Sequence, residues 1–162
     1  MAQRYAYRPP DRLLLRRLTV ERSDELKNVV LDVYNILQSG DAQALEQRTA
    51  ENGVVFIGTD PNEWWDSRAG TIEAFRAQSE ALGGGGFAFR PGDIQAYTEG
   101  NVGWAADTPT ITAPDGIEVA LRFTLVFHKD NGQWRILQAH SSIGVPNEDV
   151  FGRDLYSIEP PS

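Results

Sequence analysis

The chain of 162 residues has no cysteine and only two histidines. Without cysteine there is no disulfide, no thiolate metal site and no cysteine nucleophile, and nothing requires an oxidising compartment. Two histidines placed on opposite faces of a sheet cannot build a tetrahedral metal site, so no metal and no cofactor is expected. No run approaches the ~20 apolar residues of a membrane span. A P-loop, a dinucleotide fingerprint and a Gly-x-Ser-x-Gly elbow are all missing, and the glycine run at 83–86 lacks a following Lys-Ser or Lys-Thr. Arg4, Arg8, Arg12, Arg16 and Arg17 interrupt every apolar stretch near the start, so a secretory signal is not expected there. An Arg-rich start faintly suggests a transit peptide, but Asp11 and Pro9-Pro10 weaken that reading. The cytoplasm is the default expectation.

What is present reads as one soluble domain with a sizeable core, 41% hydrophobic and 23% charged. Residues 1–20 hold five Arg against one Asp, a charge of +4, which leaves −12 of the net −8 on the remainder. An acidic body offers no footprint for nucleic acid. Residues 1–22 read as a basic extension with a helical turn at 13–18, residues 23–146 as the folded domain, and residues 147–162 as a tail.

Ser23 is a good helix N-cap, and Asp24 and Glu25 complement the helix dipole behind it. Leu26, Val29, Val30, Val33 and Leu37 form an apolar stripe that Gly40 closes. Asp41 caps a second helix through about Arg48. A short strand at 54–57 follows, then the turn-rich stretch from Gly58 to Asn62. A third helix is expected at 71–82, burying Ile72, Phe75 and Leu82. From Phe87 the chain reads as four strands, 87–98, 101–112, 117–129 and 133–145, joined by hairpins at Glu99-Gly100, Pro114-Asp115-Gly116 and Asn131-Gly132. Pro91-Gly92 predicts a bend in the first. Helices followed by an antiparallel meander give an α+β class: a curved sheet, open like a cone, with N-terminal helices over its concave face.

The Gly40-Asp41 junction, the stretch Val54-Val55-Phe56-Ile57-Gly58-Thr59-Asp60-Pro61, the run from Arg122 to Phe127 and the ending from Gly132 to Ser142 together resemble the SnoaL-like branch of the nuclear transport factor two-like superfamily. The ending also resembles the association domain of calcium/calmodulin-dependent kinases. The resemblance covers about residues 24–146. It implies a cone-shaped α+β barrel with an interior pocket, usually dimerised through the outer sheet face. It departs from the family after Trp65, where Asp66-Ser67-Arg68-Ala69-Gly70 replaces a turn that commonly has glycine earlier. The superfamily spans isomerases, cyclases, dehydratases, hydrolases, transport factors and oligomerisation domains, so chemistry has to come from the site.

Asn131-Gly132 best supplies the two positive φ angles of a type I′ turn. Continued without interruption, that turn sets Asp130 opposite Gln133, Phe127 opposite Ile136, Leu125 opposite Gln138 and Phe123 opposite His140. One face then carries Leu121, Phe123, Leu125, Phe127, Trp134 and Ile136, with Gln138 and His140 as its polar members. His140 is the candidate acid/base, and its structural alternative is a histidine bonded to backbone or hydroxyl. Asp107 depends on the turn at 114–116. With Gly116 as a bulge, Asp107 comes opposite Phe123 and lines up with His140. With Ala113 facing Gly116, Asp107 comes opposite Arg122 on the outer face. The second register also turns Trp104 and Val102 inward and is preferred on that ground.

Phe56, Trp64, Trp65, Phe75, Tyr97 and Trp104, with Phe123, Leu125 and Gln138, are the candidate pocket for a flat or hydrophobic ligand. Ordinary core packing is the competing reading. Adjacent Trp64 and Trp65 cannot both enter one core, so one is expected at the rim. Asp60, Glu63 and Asp66 around them read as a solvated acidic loop. Three functions compete, in this order: a small-molecule-binding module, a cofactor-independent isomerase, dehydratase or cyclase using His140 with Asp107, and an oligomerisation domain. A homodimer is expected through the outer faces of the last three strands, whose outer positions include Val126 and Leu137.

Overall fold

The computed structural model describes residues 19–155. The helical turn expected at 13–18 lies outside them. The elements, in order, are β1 (Glu21–Arg22), α1 (Asp24–Ser39), α2 (Ala42–Arg48), β2 (Val55–Ile57), β3 (Trp64–Trp65), α3 (Arg68–Ala81), β4 (Ala88–Arg90), β5 (Gln95–Glu99), β6 (Val102–Asp107), β7 (Thr110–Thr112), β8 (Glu118–Asp130), β9 (Gln133–Ile143) and α4 (Asn147–Phe151). The caps act where the sequence puts them. Ser23 Oγ accepts the Leu26 N–H at 3.1 Å, and Asp41 Oδ1 accepts that of Ala44 at 2.9 Å. Helix α3 begins at Arg68, ahead of its expected start, because Ser67 caps it through the Gly70 N–H at 3.2 Å.

The sheet runs β1-β5-β6-β8-β9-β2-β3, with β7 and then β4 branching from β8. All pairings are antiparallel except β2 with β9. Glu21 and Arg22, expected in the extension, pair with Thr98 and Tyr97 as an edge strand. The first expected strand breaks at Pro91-Gly92, in line with expectation, and the second breaks at Pro109, which has no N–H to give to a ladder. β8 therefore pairs with β6 along one part and β7 along another, and the sheet curls.

Helix α1 lays Leu26, Val30 and Val33 on the concave face against Ala96, Ala105, Leu125, Phe127, Trp134 and Ile136. At its first turn Lys129 Nζ reaches Glu25 at 2.8 Å while lying 5.0 Å over the Trp134 ring. Lys129 holds the Glu25 carboxyl below its usual pKa against a small desolvation effect, and Trp134 adds to the lowering. Among the described residues no acceptor meets hydrogen-bond geometry at the buried Trp134 indole N–H, so Glu25 is near it without a formed bond.

Two registers differ from expectation. At the β8–β9 hairpin Asn131 (φ 48°) and Gly132 (φ 77°) make the turn, and pairing is regular to Phe127 opposite Ile136. A bulge then intervenes: Val126 pairs with Gln138, Leu125 with Ala139, Thr124 with His140 and Phe123 with Ser141. Leu137 is the extra residue. A one-residue insertion turns every later side chain to the other face, so Gln138 and His140 leave the face of Phe123 and Leu125, and Ala139 and Ser141 take their place. At the β7–β8 turn Gly116 has φ 88° and its N–H donates to Ala113 at 2.9 Å, while the Ala113 N–H donates to Ile117. This is the bulged turn, and it sets Asp107 opposite Phe123. The preference for Asp107 opposite Arg122 is thereby corrected, and Trp104 and Val102 face outward, not inward. The hydrophobicity of those two residues misleads because the convex face carries apolar side chains as well.

Phe127 is fully buried at the centre of this core. Truncating it leaves a cavity that rigid neighbours cannot close, so Phe127→Ala should cost about 3–5 kcal/mol of unfolding free energy in urea denaturation.

Candidate functional site

A cavity of about 370 Å³ opens between α3, the β2–β3 turn and the concave sheet. Phe56, Trp65, Phe75 and Phe123, four of the candidate pocket residues, line it. Phe56 sits there because β2 pairs it with Ala139, itself a lining residue. Trp64 and Trp65 split as adjacent strand residues must: Trp65 faces the cavity, while Trp64 is 64% exposed and pairs with Ile57. Leu125 lies buried in the core and does not reach the cavity. Tyr97 and Trp104 stack on each other on the convex face, ring centroids 6.1 Å apart, with the Arg22 guanidinium 5.7 Å from Tyr97. Gln138 is outside through the bulge.

Several lining residues are absent from the set that the sequence suggests. Phe87, just ahead of β4, and Phe89 within it stand two apart and both reach the cavity, a spacing that the sequence itself carries. Ile111 joins them by pairing with Phe89. Ser141 is concealed by the bulge. Polar groups are few: Thr59, Glu63, Thr71, Gln78 and Ser141. A second cavity of about 400 Å³ between α1, α2 and the β8–β9 hairpin is lined by Glu25, Asp32 and Arg48. These three charges are already paired, Arg48 with Asp32 and Glu25 with Lys129.

His140 and Asp107 are not brought together. His140 pairs with Thr124 on the convex side and is half-buried, and its imidazole has no hydrogen-bond or ion-pair partner among the described residues. Asp107 is 7% exposed on the concave side and fully engaged. Oδ2 accepts the Tyr34 hydroxyl at 2.8 Å and the Gly92 N–H at 3.2 Å, and Oδ1 accepts the Thr108 N–H at 2.8 Å. Tyr34 in turn stacks on Phe89 at 4.9 Å and lies 5.8 Å from Phe123, both cavity walls. Burial, and then the bond to Asp107, push the Tyr34 phenol far above its usual pKa. The pair braces the cavity from behind.

This curved α+β cone is the nuclear transport factor two-like fold. The profile of the SnoaL-like domain family matches residues 26–146, and the chain belongs to that family. No curated protein matches it. Among solved structures, a nuclear transport factor two-like protein of unknown function from Pseudomonas putida is similar at 14% identity and TM-score 0.66, covering 84% of this chain and 94% of its own. An uncharacterised cystatin-like-fold protein from Caulobacter vibrioides is similar at 16% identity and TM-score 0.64, over 78% of this chain and 92% of that one. A protein from Parabacteroides distasonis, provisionally named a ketosteroid isomerase, is similar at 15% identity and TM-score 0.58, over 73% and 86%. At these identities the likeness is one of fold.

The Tyr34–Asp107 contact makes a stability prediction with a sign. A raised phenol pKa means the folded state keeps its proton while the unfolded chain loses it above about pH 10. Stability from this group is therefore fully present below pH 10 and falls as pH rises beyond it. Tyr34→Phe should cost about 1.5–3 kcal/mol at pH 7 by removing a bond to a buried carboxylate. In urea titrations up to pH 11 it should also fall less steeply on the alkaline side than wild type.

Proposed function

We propose that this chain is a small-molecule-binding SnoaL-like domain whose ligand occupies the cavity between α3 and the concave sheet. The observation that carries this reading is the cavity itself. Its volume of about 370 Å³ suits a small organic ligand. Its walls are dominated by Phe56, Trp65, Phe75, Phe87, Phe89 and Phe123, and few polar groups are present to orient a guest. Catalysis by a His140–Asp107 pair has weaker support. The imidazole is on the other side of the sheet, and the carboxylate already accepts three hydrogen bonds.

Native mass spectrometry of protein purified from its own host would reveal a retained ligand. A defined probe, 2-naphthylmethanol, tests the site directly. At a hundred times its Kd a ligand stabilises the fold by about 2.7 kcal/mol, which thermal denaturation detects readily. Ala74→Phe, which fills the cavity from α3, should abolish the probe-induced rise in Tm without lowering the Tm of the free protein by more than a few degrees. An undiminished rise in that variant would place the ligand elsewhere.

The domain works, in this reading, as a homodimer through its convex sheet face. Trp104, Tyr97, Val126 and the 44%-exposed Val102 give that face an apolar stripe among Thr124, His140 and Gln138. Light scattering should give twice the 18.0 kDa chain mass at micromolar concentration, and Trp104→Glu should return it to the monomer value.

A further inference from the structure

Glu63 is the one charged side chain among the described residues that line the cavity. It stands between the turn after β2 and strand β3, half-buried beside Trp65. Its carboxylate is held in place. The Gly58 N–H donates to the Glu63 carbonyl at 2.9 Å, and Oε2 accepts the Asp60 N–H at 3.0 Å. Gly58 is needed for this approach, since a Cβ there would collide with Glu63 Oε2 and fall 2.7 Å from Glu63 Cβ. The other carboxylate oxygen, Oε1, has no hydrogen-bond or ion-pair partner among the described residues. Among the described residues, Arg48, Arg90 and Lys129 form ion pairs with Asp32, Glu118 and Glu25 and not with Glu63.

A carboxylate fixed against apolar surface has lost part of its hydration and gains most from a cationic donor. We infer that Glu63 makes the cavity selective for protonated arylalkylamines, with the ring system against Phe56, Phe75 and Phe123 and the ammonium group on Glu63 Oε1. A carboxylate ligand would set a like charge beside Glu63 and be disfavoured. The aromatic face of Trp65 next to Glu63 adds surface that a cation also prefers. This inference rests on the reading of the cavity as a ligand site.

Isothermal titration calorimetry with three probes of one skeleton, 2-naphthylmethylamine, 2-naphthylmethanol and 2-naphthoate, tests it at pH 7. In wild type the amine should bind about tenfold more tightly than the alcohol, because its bond to the carboxylate joins two opposite charges where the hydroxyl brings only a neutral donor. The carboxylate should bind most weakly. Glu63→Gln keeps an acceptor for the Asp60 N–H and removes the charge, so it should erase the amine's margin over the alcohol, the ratio of the two affinities falling to about one. Raising ionic strength should narrow the amine's margin in wild type alone, which tests the charge without any substitution. An amine preference that survives Glu63→Gln, or no preference in wild type, would overturn the inference while alcohol binding left the cavity standing as a ligand site. Binding of none of the three would overturn both.

Discussion

Everything that distinguishes the two faces of this sheet depends on one unpaired residue, Leu137. The hairpin at Asn131-Gly132 starts β8 and β9 in a register that buries Phe127 against Ile136, and that part of the ladder is fixed by its turn and by the core above it. Past the bulge small side chains on the concave side, Ala139 and Ser141, leave open the space under α3 that forms the cavity. Without the extra residue Gln138 and His140 would project into the same space, and the cavity would be smaller and far more polar. The bulge also adds local twist, which helps carry the sheet from the flat region under α1 to the curled region where β7 and β4 branch away.

The second constraint is the buried carboxylate of Asp107. It ties three parts of the chain that are remote in sequence: Tyr34 on α1, Gly92 in the break between β4 and β5, and Thr108 at the end of β6. A buried carboxylate with a missing donor would be strongly destabilising, whereas one with three donors locks its surroundings. What it locks is the position of the Tyr34 ring, and through it Phe89 and Phe123. Two of the cavity's aromatic walls are thus held from outside the cavity, by a polar contact the ligand space does not touch.

The fold is legible in the sequence because its signals are local and agree with one another. Ser23, Gly40 and Asp41 mark helix ends by backbone hydrogen bonding, and Pro91-Gly92 marks a break that no ladder tolerates. Phe56, Trp65, Phe75 and Phe123 line the cavity, but Tyr97 and Trp104, chosen on the same aromatic character, stack on the convex face, because aromaticity signals partial burial and not which face is buried. His140 and Gln138 are misplaced by a strict alternation count, which carries any single insertion forward to every later residue, and nothing in Ile-Leu-Gln-Ala-His announces a bulge. Asp107 fails in a different way. Two turn geometries fit Pro114-Asp115-Gly116 equally well, which leaves the choice to the hydrophobicity of Trp104 and Val102. Those residues lie on a convex face that is itself partly apolar, so the criterion cannot discriminate.

Two acidic side chains, Glu63 lining the cavity and Asp107 behind its aromatic wall, differ in how far the protein satisfies them. Asp107 is the more buried and the more elaborately bonded, both of its oxygens already accepting hydrogen bonds from the protein. Glu63 is less buried, accepts a single backbone N–H, and keeps an oxygen free at the rim of an otherwise uncharged space. A carboxylate that serves the fold is expected to be saturated, and one that serves a ligand must be positioned yet left incomplete. The close approach of Gly58 supplies the positioning, and the absence of a neighbouring ion pair among the described residues supplies the incompleteness. The two carboxylates thus differ in saturation in the order of their burial, both oxygens of the deeper one bonded and one oxygen of the shallower left open to solvent or guest.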